Sequence, residues 1–407
     1  MRRFAKLILV GLSLLLAGCG GEDDDSVSTL TIVVNAPFSR SPYVGETVAR
    51  GVELGATKAG LIETREGNYR LAVRRLDTAL SPRRAVRNVR RAVADDAVAI
   101  VDEGTGVDAS WRIAREAQVP VAITYQGGVG LVDADERPNV FRIAPTDRGI
   151  GFRLAEYLIP KGLRVALLTD DTGYGEEGRA ILERSFGANP EAVATKMRLP
   201  SAAPDLAPQV LRARRAGATA LLVWAQPATI AQVLTAARSN GWKVPVYTPP
   251  SGGDPLVRQQ LADNPEWVDG LVFASGRMTA ELGPEAWYAF QAAFVARYGL
   301  DRVGVTTSDG EQVFQPPEYA MYSYDFVSVL TAAIKQAGGA EDKSELLEAL
   351  NEVTVEGANG DERGFTLHSH EGVVDDDVYF ARFEDMTFAP VKDDPLSATL
   401  PTISQFG

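Results

Sequence analysis

The fold of this chain is decided by a strand, a short loop and a helix that follow one another at residues 164–186, RVALLTDDTGYGEEGRAILERSF. Residues 164–169 are mostly apolar and fit a buried strand, and apolar residues at helical spacing between Gly175 and Phe186 predict a helix. A strand that leads straight into a helix is the repeating unit of a parallel sheet. The stretch therefore predicts an α/β protein.

The same unit recurs on both sides of this stretch. Before it we predict strands at 30–34, 69–76, 98–101 and 119–124 and helices at 44–61, 82–94, 107–117 and 148–159. After it we predict strands at 192–197, 218–223, 244–248 and 270–274 and helices at 204–215, 228–239 and 254–262. A chain of 407 residues is too long for one hydrophobic core. The pattern predicts two doubly wound, Rossmann-like lobes with helices on both faces of each sheet.

The last third predicts three helices, at 285–298, 317–337 and 344–350, and a strand at 378–383. These cannot form a third lobe, so we expect them to return to the first two. Interlobe crossings are predicted at Pro145–Asp147, at Ser275–Arg277 and near Gly357–Gly364. The expected domains are a signal peptide (1–18), a tether (19–29), lobe 1 (30–146 plus 277–356), lobe 2 (147–276 plus 357–392) and a tail (393–407).

The N-terminus, MRRFAKLILVGLSLLLAGC, has the features of a bacterial lipoprotein signal. A basic start is followed by an apolar run that is too short to span a bilayer. Leu-Ala-Gly-Cys then resembles a lipobox, which would make Cys19 the lipidated first residue of the mature chain. The small and acidic residues 20–26 predict a flexible leash. We therefore expect an extracytoplasmic protein that is anchored to a bacterial membrane by lipid on Cys19.

Composition and charge exclude several functional classes. A single Cys rules out a disulfide framework, a Cys-ligated zinc site and an iron–sulfur cluster. The formal net charge is −13, or −16 without residues 1–18, and this argues against a nucleic-acid partner. His368 and His370 would share a strand face, but no third ligand is evident, so the sequence favours an exposed tail segment over a metal site. We expect no metal and no cofactor.

Residues that follow the predicted strands are the candidates for a ligand site, because ligands of open α/β sheets bind beyond the carboxyl ends of the strands. The loops there combine glycines with aromatic and polar side chains, and each precedes a helix whose N-terminal N–H groups are unpaired. Turns and helix caps alone would also explain such loops. The candidates are Tyr43, Thr105, Gly106, Gln126, Gly127, Gly128, Tyr174, Trp224, Ser251 and Asp254.

Several short motifs in a fixed order indicate a known family. They are Pro37-Phe38-Ser39 with Tyr43-Val44-Gly45, Gly51–Leu54, the Asp-x-x-x-Ser-Pro-x-x-Ala-Val stretch at 77–86, Val119-Pro120, Phe141–Asp147, Asp170–Gly175 and Ala236–Gly241. Over nearly all of residues 30–390 the chain resembles type I periplasmic solute-binding proteins, in the branch of the leucine/isoleucine/valine-binding receptors of ABC importers. The resemblance implies the periplasmic binding protein type I fold, with three crossings between the lobes.

The resemblance also implies roles for individual residues. Thr105 would bind a ligand carboxylate through its hydroxyl, and residues 126–128 would add backbone and side-chain contacts. Tyr174 would close over the ligand from the second lobe, and Trp224 stands where the family often has another aromatic. The chain departs from the amino-acid binders at Ser251, because they carry an acidic residue there that pairs with the ligand ammonium group.

That departure puts an α-amino acid ligand in question, since a buried ammonium group without a carboxylate partner is unfavourable. Asp254, or Asp102 and Glu103 across the cleft, would have to substitute. We predict a binding protein of an ABC importer, not an enzyme, that closes on a small carboxylate-bearing ligand such as a branched-chain or other amino acid, an amide or an aromatic acid. Its partners would be the ligand, the permease subunits and, through Cys19, the membrane. A ligand sensor with the same clamp, or an extracytoplasmic hydrolase that uses carboxylates, remain alternatives.

Overall fold

The computed structural model describes residues 27–280, 283–299, 302–306, 312–374, 377–384 and 386–399. The predicted signal peptide and Cys19 lie outside these residues, as do the first part of the tether and the end of the tail. None of the described helices is long and apolar enough to cross a membrane. The described chain forms two large sheets, each covered by helices as the sequence predicts, and two small two-stranded sheets.

The first lobe is built on a six-stranded sheet with the order β2-β3-β1-β4-β5-β6. Its strands are parallel apart from β2, which pairs antiparallel with β3. The strands are β1 (Val27–Ala36), β2 (Ile62–Glu63), β3 (Asn68–Asp77), β4 (Ala99–Asp102), β5 (Val121–Ile123) and β6 (Val140–Arg142). The helices between them are α1 (Pro42–Ala59), α2 (Pro82–Ala94) and α3 (Val107–Glu116).

The second lobe is built on a seven-stranded sheet with the order β17-β16-β11-β10-β9-β7-β8. Its elements up to the second crossing are α4 (Asp147–Leu158), β7 (Val165–Asp170), α5 (Gly173–Ser185), β8 (Val193–Leu199), α6 (Ala207–Arg215), β9 (Ala220–Trp224), α7 (Pro227–Ser239), β10 (Val246–Thr248), α8 (Pro255–Gln260) and β11 (Leu271–Gly276). Strands β7 to β11 are parallel to one another. An apolar cluster on one face packs α4 and α5 onto this sheet.

The last third comprises α9 (Glu285–Tyr298), β12 (Arg302–Thr306), β13 (Gln312–Phe314), α10 (Ala320–Ala337), α11 (Lys343–Leu350), β14 (Thr354–Glu356), β15 (Glu362–Gly364), β16 (Val378–Glu384) and β17 (Thr387–Pro390). Helix α10 packs against α1 of the first lobe, and β16 adds antiparallel to β11 of the second. The last third therefore packs against both large sheets. The β12–β13 hairpin, which the sequence assigned to lobe 1, lies beside α8 and β17.

Local chemistry explains why many predicted boundaries agree with the structure. Helix α2 spans Pro82–Ala94 as predicted, because Ser81 Oγ accepts a hydrogen bond from the Arg84 N–H and Pro82 occupies the first turn. Helix α9 likewise has its predicted bounds. Strands β2, β6, β12 to β15 and β17 were not predicted, because runs of two to five residues leave little periodicity to detect.

The third crossing lies later in the chain than the sequence suggested. Asp325, in α10, accepts hydrogen bonds from the Ala358 N–H at 2.6 Å and from Arg363 Nε at 3.2 Å, so the predicted crossing at 357–364 packs on the first lobe. The Gly372 N–H then donates to the Arg142 carbonyl at 2.7 Å. The chain changes sheets between Gly372 and Val378, where β16 begins.

Candidate ligand-binding site

Residues from the strand ends of both lobes meet in one place. Tyr125, which follows β5 in the first lobe, lies within electrostatic range of Asp254, which follows β10 in the second. Tyr174, at the start of α5, lies in the same way beside Tyr125 and Asp147. Because these residues come from opposite sheets, the region between the carboxyl ends of the strands is the candidate site.

On the first lobe, the predicted site residues Thr105 and Gln126 are both hydrogen-bonded to the carboxylate of Glu103. The Glu103 carboxylate accepts hydrogen bonds from the Thr105 N–H at 3.0 Å and from Gln126 Nε2 at 3.1 Å. Gln126 Nε2 also lies 3.1 Å from Thr105 Oγ1. Glu103 is fully buried, and this burial raises its pKa to about 7, although the hydrogen bonds to its ionised form act in the opposite direction. Thr105 and Gln126 thus direct these donors to a carboxylate of the protein itself.

A buried carboxylate below this loop holds its backbone in place. Asp102 accepts hydrogen bonds from Asn35 Nδ2 and from the Gly104 N–H, both at 2.7 Å. Burial and the neighbouring Glu103 raise the pKa of Asp102 well above its usual range. Gly104 has φ of +126°, and a Cβ there would lie 2.5 Å from that of Gln126. The close approach of the two loops therefore depends on this glycine.

The predicted site glycines serve the packing of these loops. A Cβ on Gly106 would lie 2.7 Å from that of Ala85, so Gly106 faces α2. The Gly127 carbonyl accepts a hydrogen bond from the Asp147 N–H at 2.8 Å, which ties the loop after β5 to the first crossing. The Gly128 carbonyl accepts one from Arg142 Nη1 at 2.9 Å. In this structure these glycines allow the backbone of the site loops to pack closely against neighbouring elements.

On the second lobe, Tyr174 lies above Trp224, with 5.8 Å between the ring centroids. Trp224, another predicted ligand-site residue, is fully buried at the end of β9. It fits beneath α5 because Gly178 leaves room, since a Cβ at Gly178 would lie 2.2 Å from the indole ring. Trp224 therefore supports Tyr174 from below in this structure.

The remaining predicted residues of the second lobe are close to Tyr174. Ser251 lies in a 3₁₀ turn, Pro250–Gly253, near the Tyr174 hydroxyl, but its Oγ has no hydrogen-bond partner within 3.5 Å among the described residues. Asp254 caps α8 by accepting a hydrogen bond from the Leu256 N–H at 2.8 Å. Burial raises the pKa of Asp254 to about 6, against the lowering effect of this bond and of Arg258.

Three residues of this region were missed by the sequence analysis. Arg258, in α8, is fully buried and donates to the Met386 carbonyl at 3.0 Å and to Gln315. Glu318 is also buried and accepts a hydrogen bond from Ser275 Oγ. Burial raises the pKa of Glu318 to about 8 and lowers that of Arg258 to about 10.

The third missed residue is Tyr319, whose ring lies 5.2 Å from that of Tyr125. Tyr319 follows Glu318 just before α10, so both come from the segment that the sequence predicted only as a returning helix. The one signal that pointed to them is an acidic and an aromatic residue directly after Pro316-Pro317. Tyr43 is half-buried at the start of α1, and its hydroxyl lies 3.4 Å from Gln315 Nε2.

Two contacts fix the loop after β5, and the first of them joins the two lobes. The Val129 N–H of the first lobe donates to Glu177 Oε1 in α5 of the second at 2.5 Å. At the hinge, Arg142 pairs with Glu371 through Nε at 2.7 Å and Nη2 at 2.5 Å. The lobes are thus closed on each other near the loop that carries Gln126.

The sequence predicted an exposed segment for His368 and His370, but His370 is buried. The Nδ1 of His370 lies 2.9 Å from the Val140 carbonyl, and its ring stacks on Phe141 at 4.3 Å. Among the described residues there is no group of three or more His, Cys, Asp or Glu arranged to hold a metal ion. His370 is drawn inward because the segment returns along β6.

Two α/β lobes, three crossings and a site between the carboxyl ends of the strands define a two-lobed ligand-binding clamp. The sequence model of a periplasmic binding protein family matches residues 30–387. The chain therefore belongs to the periplasmic binding protein family, which confirms the resemblance stated above.

Solved structures agree with this assignment of the fold. A type 1 periplasmic binding protein of Bordetella pertussis Tohama I superposes with a TM-score of 0.74 at 22% identity, covering 88% of this chain and 97% of the other. A leucine-binding protein of Thermotoga maritima MSB8 gives 0.69 at 19%, covering 88% and 97%. A solute-binding protein of an ABC transporter from Rhodopseudomonas palustris BisB5, in complex with 3,4-dihydroxybenzoic acid, gives 0.67 at 19%, covering 88% and 93%. No match was found among curated proteins.

Proposed function

We propose that this chain is the lipid-anchored, extracytoplasmic solute-binding component of an ABC importer. The observation that carries the proposal is that the lobes are joined between Val129 and Glu177, with Tyr125 of the first lobe within electrostatic range of Asp254 and Tyr174 of the second, at the ends of parallel strands. A solute held there is enclosed when the lobes close and released when they open. The family, and the solved relatives that bind small solutes, support this role.

Membrane attachment rests on the lipobox at Cys19. The acidic body has no broad electrostatic attraction to anionic lipid, so a covalent lipid supplies the anchor. We expect Cys19→Ser to move the protein from the membrane fraction to the soluble extracytoplasmic fraction and to abolish labelling by a radioactive fatty acid. Wild-type protein that stays soluble and unlabelled would contradict the anchor while leaving solute binding open.

Binding is tested by mass spectrometry of solute released from purified protein, followed by thermal unfolding with added candidates. A true solute raises the melting temperature further as its concentration rises, by about 2.7 kcal/mol of stability at one hundred times its Kd. Recovery of the solute unchanged after incubation supports a binding protein, whereas a product would favour the hydrolase alternative.

A measurement of solute uptake by cells distinguishes a component of an importer from a sensor. Arg83, Arg87, Arg90 and Arg91 are exposed on α2 and form a basic face on an acidic protein, which would suit docking to a permease. We expect charge reversal of this face to reduce solute uptake by cells while the purified variant binds solute as before. Normal uptake would remove this face from the docking surface, and permease and ATPase genes beside this one would favour import.

A further inference from the structure

The centre of the candidate site is surrounded by carboxylates from both lobes. Glu103, Asp254 and Glu318, the carboxylate trio, all lie within electrostatic range of the Tyr125 hydroxyl. Each of the three is buried, with at most 8% of its surface exposed. Arg258 faces Asp254 and Glu318, but its described hydrogen bonds go to the Met386 carbonyl and Gln315. When all three carboxylates are ionised, the single positive charge of Arg258 does not balance them, and the site carries an excess of negative charge.

An unpaired hydroxyl points to a ligand at the same place. Tyr319 is 4% exposed, and its hydroxyl has no hydrogen-bond partner among the described residues. Its electrostatic neighbours include Glu318, Tyr125 and Tyr174. Burial of a phenol without a partner is unfavourable, so a solute group that bonds to the Tyr319 hydroxyl would stabilise this arrangement. Tyr125, Tyr174 and Tyr319, the tyrosine cluster, lie together around this position.

The donors that an anionic ligand needs on the first lobe are already in use. The Thr105 N–H and the Gln126 side-chain amide both donate to Glu103. A ligand carboxylate would have to displace this buried side chain, in a region whose electrostatic neighbours include the carboxyl groups of Asp254 and Glu318. The geometry therefore argues against the carboxylate-bearing ligand that the sequence analysis expected.

A ligand with a positively charged nitrogen would be attracted by the carboxylates that disfavour an anionic ligand. Ammonium N–H groups donate to carboxylates in strong, charge-assisted hydrogen bonds, and the faces of tyrosine rings attract cations. We infer that the solute is an organic amine, positively charged on nitrogen and without a carboxylate, held by the carboxylate trio against the tyrosine cluster. This inference rests on the proposed function and names the class of solute for that site.

The test uses sets of probes that share an apolar side chain and differ in which charged groups they carry. Binding of 3-methylbutylamine, leucine and 4-methylpentanoate, and of 2-phenylethylamine, phenylalanine and 3-phenylpropanoate, is measured by calorimetry on full-length mature protein freed of co-purified solute. We expect each amine to bind at least about tenfold more tightly than its matched amino acid and acid.

Two variants of Glu103 test whether its carboxylate is responsible for the preference for amines. Glu103→Gln keeps the shape of the side chain but removes its charge, and we expect it to weaken amine binding at least about tenfold. Glu103→Ser frees the donors of Thr105 and Gln126, and we expect it to gain affinity for the acids. Glu136→Gln, at an exposed acid of the same lobe, serves as the control and leaves all affinities unchanged.

The outcomes separate this inference from the proposed function. If an acid or amino acid binds as tightly as its amine, if no amine binds, or if amine affinity is the same in Glu103→Gln as in the wild type, the inference is overturned while solute binding stands. If no probe binds and no solute is released from freshly purified protein, the proposed function is contradicted as well.

Discussion

Arg142 and Glu371 form a bidentate ion pair across 229 positions of the chain. Arg142 is 3% exposed and also donates to the Gly128 carbonyl at 2.9 Å and to that of Gln126 at 3.4 Å. One guanidinium therefore holds both the strand that returns to the first lobe and the loop that carries Gln126.

Removal of this guanidinium should loosen both segments. We expect Arg142→Ala to lower the free energy of unfolding by about 3 kcal/mol, because Glu371 and two carbonyls lose their partner. Denaturant unfolding of the whole protein measures the change. The control is Arg112→Ala, whose ion pair with Glu136 is exposed and spans 3.5 Å, so its effect should stay below about 1 kcal/mol. Equal effects of the two variants would contradict the role of Arg142.

A substitution in helix α5 tests whether Trp224 supports Tyr174 from below. We expect Gly178→Ala to destabilise the protein by about 1–3 kcal/mol and to weaken solute binding, because the new methyl group would enter the indole ring. Gly173→Ala, in the same helix, is the control, since a Cβ there meets no atom within 4 Å. Thermal unfolding and tryptophan fluorescence follow the two variants. A Gly178→Ala protein with wild-type stability and fluorescence would show that the ring is not packed as described.

The contact between Val129 and Glu177 is expected to favour the closed arrangement of the lobes. Glu177→Ala removes the acceptor of the Val129 N–H, and we predict a faster release of bound solute, by about threefold to tenfold, with little change in the stability of the solute-free protein. Stopped-flow measurement of solute release tests this. Glu176→Ala is the control, because Glu176 pairs with Arg179 and Arg198 within the second lobe. Identical release rates in wild type and Glu177→Ala would remove this contact from the closing mechanism.

The buried carboxyls predict how stability depends on pH. Burial raises the pKa of Glu103 to about 7 and that of Glu318 to about 8, above the values of about 4.3 in an unfolded chain. Between pH 5 and 8 the folded state therefore holds protons that the unfolded state has lost, so stability falls as the pH rises. Asp254 and Asp147, with pKa values raised to about 6 and about 7, act in the same direction.

We expect the melting temperature of the solute-free protein to fall by several degrees from pH 5 to pH 8. Glu318→Gln and Glu103→Gln should each flatten this decline, because each removes one of the shifted groups. Differential scanning calorimetry of these variants beside the exposed control Glu136→Gln gives the comparison. A decline that is unchanged in both buried variants would show that these carboxyls are not the source of the pH dependence.

Local sequence patterns predicted most of the secondary structure because they depend on neighbours in the chain. Ser81 followed by Pro82 marks the start of α2, and the mostly apolar run at 164–169 corresponds to the fully buried strand β7, Val165–Asp170. The site was predicted less completely. The loops with Thr105, Gln126 and Tyr174 could be found from strand ends alone, whereas Arg258 and Glu318 lie within or next to helices where no local signal marks a site.

The sequence by itself determined the α/β class, the two lobes and the strand ends at which the site lies, since periodicity and helix caps act over a few residues. Only the tertiary structure decided which side chains meet there. Gln126 reaches Glu103 across 23 positions and Gln315 reaches Arg258 across 57, and these distances close only when the sheets and the returning segments pack together. For that reason the sequence could not show that the Thr105 N–H and the Gln126 side-chain amide, expected to face a ligand carboxylate, are bonded in this structure to Glu103 of the protein itself.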